Sequence, residues 1–93
     1  MLSVDSVCKP HPDVVYQLAG DEAVLVLPRA GQIKVLNEVG TFIWTMLDGK
    51  LSVGEVVGEI CQEYRVDPEQ AQADALEFLN DLQAKGIVQV IIR

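Results

Sequence analysis

The hydrophobic pattern changes period midway along the chain, from runs of strand length to helical spacing. Residues 1–13 come first, with Pro10, Pro12 and mixed polarity, and read as a flexible N-terminal arm that orders on contact. Val14 to Leu18 (VVYQL) then reads as a strand, and Ala19-Gly20-Asp21-Glu22 supplies turn chemistry. Ala23 to Leu27 (AVLVL) is continuously apolar, which fits a strand covered on both faces or flanked by two others. After a second turn at Pro28-Arg29-Ala30-Gly31, Gln32-Ile33-Lys34-Val35-Leu36 starts by alternating polar and apolar. Alternation suits a strand with one face in the core and the other in water. The expectation is a three-stranded antiparallel meander with Ala23–Leu27 central and Gln32–Leu36 on an edge.

Helical spacing and punctuation take over at Asn37. Asn37 is a favourable N-cap, and Val39, Phe42, Ile43, Met46 and Leu47 recur at helical intervals until Asp48-Gly49 stops the helix. Ser52-x-x-Glu55 reads as a capping box, with Leu51 and Val56 placed as a hydrophobic staple. Val53, Val56, Val57, Ile60, Cys61 and Tyr64 form the apolar stripe of this second helix. Asp67 caps a third helix, Pro68 occupies its first position and Gly86 ends it, with Ala71, Ala75, Phe78, Leu79 and Leu82 inward. Trp44 falls beside the first helix's stripe and is expected to be half-buried. Ile87 to Ile92 is a short apolar run that predicts a final strand. The fold class is therefore α+β and winged-helix-like: an N-terminal three-stranded antiparallel sheet, three helices and a short C-terminal strand, in a single domain over residues 14–93.

Composition narrows the functional classes. A chain of 93 residues buries roughly 64% of its unfolded surface, enough for one small core. The apolar share of 49% excludes a disordered tail. No apolar run reaches the about 20 residues of a membrane span, and the N-terminus lacks a signal-peptide pattern, so a cytoplasmic address with no membrane contact is expected. Fourteen acids against seven bases give −7, a field that repels phosphate backbones, so no nucleic-acid partner is expected. Reactive residues are sparse. Cys8 and Cys61 lie far apart with no C-x-x-C, and the lone His11 stands between two prolines. There is no GxGxxG, P-loop or G-x-S-x-G, so neither catalytic residues nor a metal or cofactor is expected.

The order and spacing of several short motifs carry a resemblance. Leu36-Asn37, Ile43-Trp44 and Leu47-Asp48-Gly49 resemble the LN…IW…LDG core of the PqqD family, small proteins of pyrroloquinoline quinone (PQQ) biosynthesis and their relatives. Val53, Glu55, Val56, Tyr64, Val66, Asp67, Asp74, Phe78-Leu79, Leu82 and Lys85-Gly86-Ile87 continue it, so that it covers residues 12–88. The resemblance implies a RiPP recognition element, a peptide chaperone that performs no chemistry. Such modules bind the leader of a ribosomally made precursor peptide and present it to a modifying enzyme. In the quinone pathway that enzyme is a radical S-adenosylmethionine protein. The family's leader joins the sheet as an added strand between the third strand and the third helix. The chain departs from quinone-pathway members at Pro28-Arg29-Ala30-Gly31, where those usually read Pro-Glu.

Together, the pattern and the resemblance point to peptide-binding residues on two elements. The edge strand contributes Gln32, Ile33, Lys34, Val35 and Leu36, where Lys34 is the only charge blunting an otherwise open ladder. The third helix contributes Asp74, Glu77, Phe78 and Asp81, whose carboxylates read either as a solvated face or as an acidic wall for a basic segment. Two other classes compete. A winged-helix DNA regulator needs a basic recognition helix, yet Asp67 to Lys85 carries five acids and one base. A structural subunit of a larger enzyme complex shares the same features. The exposed edge and apolar tail also permit a homodimer by strand exchange.

Overall fold

A computed structural model describes residues 2–91. In chain order the elements are β1 (Val7–Pro10), β2 (Val15–Ala19), β3 (Glu22–Leu27), β4 (Gln32–Leu36), α1 (Glu38–Thr45), α2 (Val53–Glu63), α3 (Pro68–Ala84) and β5 (Val88–Ile91). Strands β2, β3 and β4 form an antiparallel meander with β3 central, and β1 pairs antiparallel with β5 in a second, two-stranded sheet. The observed architecture is the expected α+β order, and Ile92 of the anticipated last strand lies outside the described residues.

Capping chemistry sets the helix starts. Asn37 Oδ1 accepts from Gly40 N–H at 2.8 Å, and Asp67 Oδ1 accepts from Glu69 N–H at 3.0 Å with Pro68 at the first position of α3. The Ser52–Glu55 box closes in both directions, at 3.2 Å from Glu55 N–H to Ser52 Oγ and 2.9 Å from Ser52 N–H to Glu55 Oε1. The core joins the inner face of β3 (Ala23, Leu25) to stripes on all three helices, with Leu25, Leu36, Val53, Val56, Leu79 and Leu82 fully buried. Each such aliphatic side chain contributes about 1.5–3 kcal/mol through removal from water.

Four details differ from the sequence reading. Over its described residues, 2–13, the expected arm is not loose: Leu2, Val7 and Cys8 are buried, and β1 lies in register with β5 from Val7–Ile91 to Pro10–Val88. The reason lies in α2, whose first N–H groups have no partner within the helix. Val53 N–H donates to Ser6 O at 2.8 Å and Gly54 N–H to Val4 O at 2.9 Å, so the arm satisfies that helix end. Helix α1 stops at Thr45, two residues early, because the chain tightens through Met46 and Leu47 toward Gly49. Gly49 adopts φ +80° and donates to Cys8 O at 3.2 Å, and a Cβ there would lie 2.9 Å from Ile91 Cδ1. Trp44 is buried, not half-buried, with the Tyr16 ring edge-on to it at 5.8 Å between centroids. Cys61 and Phe78, expected in the core, are only partly buried against it.

Candidate functional site

The open edge of β4 follows from the register of the meander. Gly20-Asp21 is a two-residue turn joining Ala19 to Glu22, with Gly20 at φ +65°. Such a turn closes on a hydrogen-bonded pair, and hydrogen-bonded and non-hydrogen-bonded pairs alternate from there. The hydrogen-bonded pairs of β3 with β4 are therefore Ala23–Leu36, Leu25–Lys34 and Leu27–Gln32. The N–H and C=O groups of Ile33 and Val35 point the other way, to the free edge. Their side chains stand on the outer sheet face, 69% and 58% exposed.

Beside this edge, on the inner face, β4 and α3 bound a groove lined by Lys34, Asp74, Glu77, Phe78 and Asp81. An ion cluster spans its far end: Lys34 Nζ lies 3.3 Å from Asp81 Oδ2, and Lys85 Nζ reaches both Asp81 oxygens at 3.0 and 3.1 Å. The hydrogen bond from Lys85, reinforced by Lys34, holds the Asp81 carboxyl below its ordinary range despite partial desolvation. Asp74 accepts from Gln70 Nε2 at 2.9 Å, and Glu77 is exposed. Among the described residues, no cation lies within ion-pair distance of either.

Five of the nine sequence-derived site residues thus line one groove, and Ile33 and Val35 supply its backbone edge. Gln32 is half-buried at the start of β4 and its backbone pairs with β3. Leu36 points into the core at 2% exposure, so its side chain is withheld from the groove. Sequence reasoning did not find Lys85 in the ion cluster. Nor did it find the small residues Gly40, Ala71 and Ala75, which help to line an apolar recess behind Phe78. The four-residue spacing of Asp81 and Lys85 was visible, and so was the small-residue stripe on α3, but neither spacing reveals which element faces it.

The second free edge of the meander, β2, borders the short helix α1 and carries the Tyr16–Trp44 contact. Elsewhere, Cys8 is buried within β1, and burial pushes its thiol above the ordinary value. Among the described residues no helix is long and apolar enough to cross a membrane.

An α+β domain whose three-stranded sheet leads three helices, with one open strand edge beside an acidic helix, has the architecture of a small recognition module. The chain belongs to the PqqD family: residues 22–88 match the family described as coenzyme PQQ synthesis protein D. It is 27% identical over 75 residues to the PqqA binding protein of Xanthomonas oryzae pv. oryzae (strain PXO99A), covering 81% of this chain and 79% of that protein. Among solved structures it is similar to TbiB1 in complex with the TbiA(beta) leader peptide. That match has 32% identity and a TM-score of 0.80, over 91% of this chain and 99% of TbiB1. The fold is also that of the PqqD truncation of Methylobacterium extorquens PqqCD, a stand-alone RiPP recognition element. There the TM-score is 0.79 at 22% identity, over 96% of this chain and 95% of that one.

Proposed function

We propose that this protein is a non-catalytic adaptor that binds the leader of a ribosomally synthesised precursor peptide as a fourth strand on β4. It then presents the rest of the peptide to a modifying enzyme, a radical S-adenosylmethionine protein where the product is PQQ or a related quinone. The observation that carries the reading is the unpaired backbone of Ile33 and Val35 beside the β4–α3 groove. An added strand satisfies those N–H and C=O groups with its own backbone, and its alternate side chains enter the groove, where sequence is read. Its other side chains extend the outer-face rows Val15–Val26–Ile33 and Gln17–Val24–Val35.

The groove residues that take part are Lys34, Asp74, Glu77, Phe78 and Asp81, with Gln32 at its margin. The buried, high-pKa thiol of Cys8 is a poor nucleophile, which supports a binding role over a chemical one. The acidic α3 opposes a DNA-regulator reading, since that helix would have to face phosphates.

Titration of the 15N-labelled chain with peptides selected from a random 12-residue display library tests this proposal. The expected result is saturable shifts centred on the Ile33 and Val35 amides, with no shift on adding random duplex DNA. Salt-sensitive binding of the duplex at micromolar concentration, with no peptide binder recovered, would contradict it.

A further inference from the structure

Behind Phe78 lies a second space, distinct from the groove. It is a recess of about 370 Å³ among α1, the C-terminal end of α2 and α3, walled by Gly40, Ile43, Ile60, Ala71, Ala75 and Phe78, with the exposed Asp74 at its mouth. Its size falls within the range of ligand pockets, roughly 300–1,000 Å³. Asp74 and Phe78 line both spaces, so the recess adjoins the groove at these two residues, and Asn37 and Gly40, which follow Leu36 of β4 in the chain, also line it. Close approach of α1 to Phe78 makes this wall: a Cβ on Gly40 would lie 3.3 Å from Phe78 Cε1 and 3.2 Å from Asn37 Oδ1.

Charge selects what lies at the mouth. Asp81, at the opposite end of the groove, already has Lys34 at 3.3 Å and Lys85 at 3.0 Å. Asp74 and Glu77 have no such cation among the described residues, in a chain of net charge −7. The groove therefore carries its uncompensated negative charge beside the apolar recess. On one face of a strand, side chains two positions apart are about 6.8 Å from each other.

Resting on the strand-addition reading, we propose that this recess is an anchor site for one large apolar side chain of the bound peptide. The peptide carries a lysine or arginine two positions away, on the same strand face, held by Asp74 and Glu77. The ligand class is thus a cationic-apolar segment, and selectivity is set by the recess together with its two carboxylates.

The test uses the full chain and the random 12-residue library, selected in parallel on the wild type and on Val39→Trp. Val39 lines the recess and is 38% exposed, so a tryptophan there plugs the space from the solvent side. Thermal melting within a few degrees of wild type qualifies the variant; Gly40→Ala, which adds a methyl to the recess lining 3.3 Å from Phe78 Cε1, is the second plug. Wild-type binders are expected to share an apolar residue with Lys or Arg two positions away. Changing that apolar residue to Ala should raise Kd at least tenfold on the wild type and less than threefold on the plugged variants. Asp74→Asn with Glu77→Gln should abolish the cation preference and retain the apolar one. Binders that shift the Ile33 and Val35 amides yet show no anchor, or lose equally on plugged and unplugged chains, would overturn the anchor site and leave strand addition standing. Absence of any binder that shifts those amides would overturn both.

Discussion

The meander has two free edges, and they are not equivalent. Strands β2 and β4 each have five residues, and both flank the same central strand. On β2 the outward backbone groups belong to Tyr16 and Leu18, by the alternation that turns Ile33 and Val35 outward on β4. What differs is the neighbour. Strand β2, exposed along its whole length, meets the eight-residue α1 through Tyr16, edge-on to buried Trp44. Strand β4 lies beside the seventeen-residue α3 and shares with it a groove holding one ion cluster and two carboxylates that no cation pairs among the described residues. An open ladder alone invites any strand. A ladder with a long charged wall beside it can choose among strands.

The largest expected effect tests the parity of β4. Lys34→Pro removes an N–H that pairs with β3 and should lower stability by about 2–3 kcal/mol in thermal melting, well beyond Lys34→Ala. Ile33→Pro and Val35→Pro remove outward N–H groups instead. These should melt within a few degrees of wild type yet weaken peptide binding at least tenfold, about 1.4 kcal/mol. Tyr16→Pro and Leu18→Pro, the equivalent changes on β2, should leave peptide affinity unchanged, and calorimetric titration of all four separates the edges.

A smaller effect is expected on β2. Tyr16→Ala loses the edge-on contact with Trp44 and should cost about 1 kcal/mol of stability with no change in peptide Kd. The smallest concerns Asp81, whose folded pKa lies below its ordinary 3.8. A depressed carboxylate pKa stabilises the fold above that ordinary value, and the contribution disappears as pH falls through the folded pKa. Both lysines and the carboxylate are partly exposed, so Asp81→Asn should cost less than about 1 kcal/mol at pH 7. The gap between variant and wild type should close in melts taken below pH 3.8.

Much of this was legible because the local signals agree with each other. Gln32–Leu36 matched its strand, and Asn37, Ser52–Glu55 and Asp67-Pro68 marked helix starts through side-chain hydrogen bonds that need no tertiary contact. The groove residues on α3 were also readable, since helical spacing places Asp74, Glu77, Phe78 and Asp81 together. The arm was not. Four residues ending in Pro10 carry little strand signal, and β1 forms because β5, seventy-eight positions later at Val88, and the bare end of α2 receive it. The early stop of α1 likewise depends on Gly49 meeting Cys8 and Ile91. The recess behind Phe78 needed the approach of α1 to α3, a distance that Gly40 permits but does not specify.

Amide hydrogen exchange on the complex with a selected peptide tests the central claim most directly, because it reads the edge backbone residue by residue. In the free chain Lys34 should be protected while Ile33, Val35, Tyr16 and Leu18 exchange quickly. On saturation, Ile33 and Val35 should slow by about a hundredfold or more, with Lys34, Tyr16 and Leu18 little changed. Unchanged exchange at Ile33 and Val35 in the saturated complex, or protection at Tyr16 and Leu18 in their place, would contradict strand addition on β4.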